Sequence, residues 1–64
     1  MRNINYNLIK EQIGTVVIDT DFRQYVVSDY KLGCDAYQLW DKEEQKYYYT
    51  DYNAFNKLYT QISG

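Results

Sequence analysis

The sequence has no histidine and no proline, and only one cysteine, three glycines and one tryptophan among its 64 residues. Each scarcity excludes something. Without histidine, no side chain has an ordinary pKa near neutrality, so general acid–base catalysis would need heavily perturbed carboxyls. Cys34 is alone and forms no internal disulfide, while a structural zinc site asks for four Cys or His ligands. A secreted domain this small would be expected to carry several disulfides, so the thiol count predicts the cytoplasm. The longest apolar run is Val16-Val17-Ile18, far short of the roughly 20 residues of a membrane-spanning helix. The opening Met1-Arg2-Asn3-Ile4-Asn5-Tyr6-Asn7 is polar and predicts no secretory signal.

Chemistry-bearing constellations are equally thin. Cys34 lies between Gly33 and Asp35, and a neighbouring carboxylate disfavours the thiolate. Asp19/Asp21 and Glu43/Glu44 each fall within one short segment. Two-carboxylate hydrolysis instead needs a cleft between its acids, about 5–9.5 Å wide. No glycine-rich phosphate loop occurs, so nothing reads as a nucleotide cradle. These absences predict a protein that is not an enzyme, with no cofactor and no metal.

What the chain does have is tyrosine. Nine Tyr raise the aromatic fraction to 19%, which excludes ordinary disorder. The length allows one small domain, 1–64. In so short a chain, apolar burial and conformational entropy nearly cancel. With disulfide and metal excluded, self-association or a bound partner is the expected extra source of stability.

The pattern along the chain predicts an α+β domain, a four-stranded antiparallel meander with one C-terminal helix on one face. Residues 3–13 are ambiguous: Tyr6, Ile9 and Ile13 have helical spacing after an Asn3 or Asn5 cap, while Ile4, Tyr6 and Leu8 alternate as in a strand. A short helix or turn is the preferred reading. Strands follow at about 14–19 and 22–30, joined through Asp19-Thr20-Asp21, then at 36–41 and 46–50, joined through Lys42-Glu43-Glu44-Gln45. Gly33 is the natural site for a positive φ in the reversal between the two hairpins. Thr50 or Asp51 caps a helix over about 51–62, with Tyr52, Phe55, Leu58, Tyr59 and Ile62 on one stripe. Gly64 suits its end.

A sheet covered on one face normally alternates apolar with polar. Here both parities carry large rings. If Asp41 faces Lys46, Trp40 pairs with Tyr47 and Leu39 with Tyr48; slipped by one residue, Trp40 meets Tyr48 instead. Either register leaves rings on the uncovered face, where Tyr and Trp commonly anchor protein interfaces. Asp19, Asp21, Asp41, Glu43 and Glu44 all sit in the two hairpin turns, at one end of a meander. An acidic rim beside an aromatic face predicts a basic partner.

The candidate partner-binding residues are therefore Trp40, Tyr48 and Tyr25 as rings and Asp41, Glu43 and Glu44 as rim. The expected partner is a protein with a basic surface, with a homodimer through the surplus rings as the alternative. Tyr25, Trp40 and Tyr48 could also stack bases, but seven basic residues scattered among nine acids give no phosphate-binding stripe. In size and composition the chain resembles the very short Tyr- and Asn-rich proteins of bacteriophages and mobile elements. That resemblance implies a stoichiometric inhibitor of a host or defence protein.

Overall fold

A computed structural model describes residues 5–63, except for the side chain of Ser63. The Asn3 cap alternative and Gly64 lie outside these residues. The elements in order are α1 (Tyr6–Gln12), β1 (Val16–Ile18), β2 (Gln24–Lys31), β3 (Ala36–Asp41), β4 (Lys46–Asp51), α2 (Tyr52–Leu58) and β5 (Thr60–Ser63). They form an α+β domain whose antiparallel five-stranded sheet has the order β4-β3-β2-β1-β5.

Both helices are capped as their sequences suggest. The Asn5 Oδ1 accepts from the amides of Asn7 and Leu8 at 3.1 and 3.3 Å. The Asp51 Oδ1 accepts from the Ala54 amide at 2.7 Å. Each helix has seven residues, too few to persist without packing. Ile9 and Phe55 supply that packing, entering one core with Val17, Tyr25, Val27, Tyr30, Tyr37 and Leu39.

Three features depart from the expected meander. The C-terminal helix does not reach residue 62; it stops at Leu58, where Tyr59 turns extended (φ -115°, ψ 142°). Thr60–Ser63 then pairs with β1 as a fifth strand. The apolar spacing suited a longer helix, but β-branched Thr60 and Ile62 suit a strand equally. Pairing β1's outer backbone groups decides the matter. Second, the short helix preferred for residues 3–13 forms over Tyr6–Gln12, so the fold has two helices where the meander allowed for one. Third, a β-bulge between Val27 and Asp29 shifts the β2–β3 register. Strict alternation would place Tyr30 with Val26. The extra residue instead turns Tyr30 to the face of Tyr25 and Val27, where it is buried.

The β3–β4 register runs unbroken from Ala36↔Asp51 to Asp41↔Lys46, pairing Trp40 with Tyr47 and Leu39 with Tyr48. Of the two registers the sequence allowed, this is the one in which Asp41 faces Lys46. All three strand reversals hold a non-glycine residue at positive φ: Phe22 (64°), Asp35 (49°) and Gln45 (56°). Gly33 is not among them. The left-handed residue of its loop is Asp35, whose short polar side chain tolerates that region better than most.

Candidate functional site

The register divides the sheet into two unlike faces. On the helix side, Tyr37 is the hub: its ring centroid lies 3.9 Å from Phe55 and 4.8 Å from Tyr30. Tyr52 and Tyr59 pack against the same cluster. Six of the twelve aromatic rings are thus absorbed on the covered side, in Tyr25, Tyr30, Tyr37, Tyr52, Phe55 and Tyr59.

No element lies over the opposite face among the described residues. Val16, Val26, Trp40 and Tyr47 are paired in register across four strands and form one row. Tyr49 stands beside Gln38 in the next row. The Trp40 and Tyr47 rings are 4.7 Å apart, tilted by 54°. Gln38 orders the second row, donating from Nε2 to the Ser28 hydroxyl at 3.0 Å and accepting from the Tyr49 hydroxyl at 3.3 Å. Tyr47 and Tyr49 remain 53% and 62% exposed. The row from Val16 to Tyr47 carries no charged side chain, the composition that distinguishes the centre of a protein interface.

At the hairpin end this floor opens into a cleft of about 260 Å³ lined by Val16, Gln24, Tyr25, Val26, Trp40, Lys42 and Glu43. A second cleft of about 310 Å³, lined by Phe22, Arg23, Gln24, Asp41 and Glu43, adjoins it through Gln24 and Glu43. Each is at or below the usual size of a small-molecule site and suits a projecting side chain.

The two acidic hairpin loops are tied together here. Arg23 bridges to Asp41 at 2.9 Å and to Glu44 at 2.7 Å. Asp41 is only 2% exposed. Its Oδ1 accepts from the Glu43 and Glu44 amides at 2.9 and 3.2 Å. Burial pushes the Asp41 carboxyl up, but those amides and the Arg23 guanidinium outweigh it and hold the pKa below the usual value. At Asp19, burial again opposes, and the amides of Arg23 and Asp21 with the Tyr25 hydroxyl hold the carboxyl low. The loops of residues 19–23 and 41–46 hold five carboxylates and three cations, the whole net charge of -2.

The sequence-chosen residues separate accordingly. Trp40 and Glu43 meet at the open cleft. Tyr25 also borders the cleft, but its ring is buried in the helix-side core, edge-on to Tyr48 and Tyr59 at 5.9 and 5.8 Å. Tyr48 lies on the helix side, at its margin, because it pairs with Leu39 rather than Trp40. Asp41 is a buried loop organiser, not a rim contact. Glu44 is exposed but engaged by Arg23, by Lys46 at 3.7 Å and by the Tyr48 hydroxyl at 3.2 Å. Tyr47 and Tyr49, rather than Tyr25 and Tyr48, share the face of Trp40; their parity with Trp40 was the available signal, once the register was known.

Phe22 had no such signal. It was expected as a strand residue, but it occupies the tip of the β1–β2 hairpin and is 80% exposed. The Phe22 amide donates to the Asp19 carbonyl at 3.1 Å, and the Asp19 amide to the Arg23 carbonyl at 3.1 Å. That is a three-residue loop whose last position is left-handed and normally glycine. A left-handed conformation costs a β-carbon-bearing residue about 1–2 kcal/mol, and at this exposure little burial offsets it. Phe22→Gly is therefore expected to raise stability by about 0.5–1 kcal/mol, glycine's own entropy cost deducted. The thermal midpoint should rise by several degrees. A fall in the midpoint would show that the ring supports the fold.

Among the described residues, no group of three or more Cys, Asp or Glu is placed to hold a metal ion, and no helix is long and apolar enough to cross a membrane. No protein family, curated protein or solved structure matches the chain.

Proposed function

We propose that the chain is a non-enzymatic protein-binding module that works by occlusion, laying the open face of its sheet on a basic protein surface. The carrying observation is the uncharged row Val16-Val26-Trp40-Tyr47, in register across four strands and flanked by exposed Tyr49. Trp40 and the two tyrosines would supply the buried centre of the contact. A partner's apolar side chain would enter the cleft above Val26, with Phe22 gripping beside it. The loops of residues 19–23 and 41–46, which carry the net charge, would face basic groups and oppose phosphate.

Size supports occlusion as the mechanism. A standard interface takes about 800 Å² per partner, near a sixth of this chain's 4628 Å². A small body that commits so much surface blocks what it covers. This is the economy of a stoichiometric inhibitor, and a phage- or mobile-element-type inhibitor of a host or defence protein is the reading we adopt, acting in the host cytoplasm.

The test compares variants. A protein captured by the wild type should be lost with Trp40→Ala/Tyr49→Ser and kept with Leu58→Ser, which alters an exposed apolar residue off the face. Circular dichroism must show each variant folded. Equal capture by all three would overturn the site. Quenching of Trp40 by single-stranded oligonucleotides in low salt, without any captured protein, would overturn the partner class.

A further inference from the structure

The sheet has two edges, β4 and β5, and they are not alike. β5 has four residues, and its pairing with β1 carries a register shift. Shortness and irregularity are how proteins blunt an edge against strand addition. β4 has neither. Its six residues pair with β3 without interruption and contain no proline or glycine.

The phase of its hydrogen bonds can be read directly. The Tyr52 amide donates to the Asp35 carbonyl at 3.0 Å, and the pairing continues as Thr50↔Tyr37 and Tyr48↔Leu39. Hydrogen-bonded pairs recur every second residue in an antiparallel ladder. Lys46, Tyr48 and Thr50 therefore bond inward to β3. Tyr47, Tyr49 and Asp51 turn their backbone N–H and C=O groups outward, and β3 is β4's only strand partner among the described residues.

We infer that β4 pairs antiparallel with β4 of a second copy of this chain, centred on Tyr48. The sequence around the axis is self-complementary. Tyr47 faces the second copy's Tyr49, Tyr48 faces Tyr48, and Lys46 faces Thr50 next to Asp51. Lys46 and Asp51 point to opposite faces of the sheet and form no ion pair across the seam, but no like charges meet there either; parallel pairing would set Lys46 beside Lys46. This centring overlaps the full strand, whereas moving the axis to Tyr49 would drive Lys46 into the first residue of α2. The two-fold axis is normal to the sheet, so the two open faces stay on one side. The product is a ten-stranded sheet with a continuous row of Trp40 and Tyr47 followed by the second copy's Tyr49. The contact is isologous, the common form of homodimer. A single strand pair buries less than a standard interface, so the dimer is micromolar or weaker.

Hydrogen exchange read at single amides, with sedimentation over 5–500 µM concentrations (about two decades), tests it. Protection of the Tyr47 and Tyr49 amides should rise with concentration, in step with a dimer, while the Tyr48 amide is protected throughout. Tyr49→Pro removes an outward donor, which edge strands tolerate, together with the ring and its hydroxyl bond to Gln38. Tyr49→Ser, which loses the same ring but keeps the donor, is therefore the control. The proline variant should keep the monomer fold and weaken dimerisation at least about tenfold. A monomer at the highest concentration, with freely exchanging Tyr47 and Tyr49 amides, would overturn the inference. So would a dimer that Tyr49→Pro leaves intact, which would place self-association elsewhere. The result is separable from the open-face reading, because Trp40→Ala leaves the β4 edge unchanged.

Discussion

Tyr37→Ala is expected to remove between about a third and all of the chain's stability at room temperature. Removing a large buried ring costs about 3–5 kcal/mol. At roughly 0.05–0.15 kcal/mol per residue, a chain this short has only about 3–10 kcal/mol in total. Tyr37 is also the ring the others meet. It contacts Phe55 at 3.9 Å, Tyr30 at 4.8 Å and Tyr52 at 6.4 Å. Its loss would strip α2 of its main contact with the sheet, and a seven-residue helix does not survive alone. Far-ultraviolet circular dichroism and urea titration check this. Tyr49→Ser, on the open face, should shift the urea midpoint little, since exposed substitutions usually stay within about 0.5 kcal/mol. Equal effects at the two positions would mean that the faces do not differ as drawn.

That contrast separates what the sequence reveals from what it hides. The surplus of rings was legible, and so were the β3 span, three reversals and each cap as one of two candidates. These are local properties: a short ring-bearing run between turn segments, polar or charged turn residues, an Asn or Asp before an apolar stripe. Face assignment was not, because it depends on register and on the bulge. One extra residue between Val27 and Asp29 carries Tyr30 from one side to the other, and no local feature of Val27-Ser28-Asp29 announces it. The fate of residues 59–63 was hidden for a related reason. Their spacing satisfies a helix and a strand alike, and the choice belongs to β1's unpaired edge, more than forty positions away along the chain.

The candidate site shows the same divide. Trp40 and Glu43 were identifiable from ring surplus and turn charge. Asp41 was misread because burial is not local: Arg23 reaches it from another hairpin. Phe22 escaped because the turn grammar assigns its position to glycine. A residue that breaks a local rule while lying exposed is the kind of exception that functional sites concentrate.

An alkaline collapse between pH 10 and about 12 is the second large effect expected. Burial, first of all, pushes Tyr25, Tyr30 and Tyr37 up to about 12 from an ordinary 10.0. Asp19 adds to it at Tyr25, and Asp35 at Tyr30. A folded-state pKa above the unfolded value means stability that is complete below about pH 10. It is lost as pH rises through the folded value, because the unfolded chain releases the proton first. Each phenol contributes on the order of 3 kcal/mol to the loss, and three together rival the whole stability of so small a domain. Phenolate absorbance from these rings should therefore grow in with the disappearance of circular dichroism, not ahead of it. Tyr37→Phe keeps the ring stack and deletes the proton, so it should stay folded at neutral pH and push the alkaline midpoint higher. If that variant loses structure at the same pH as the wild type, ionisation of the core tyrosine does not drive the transition, and another group must be sought.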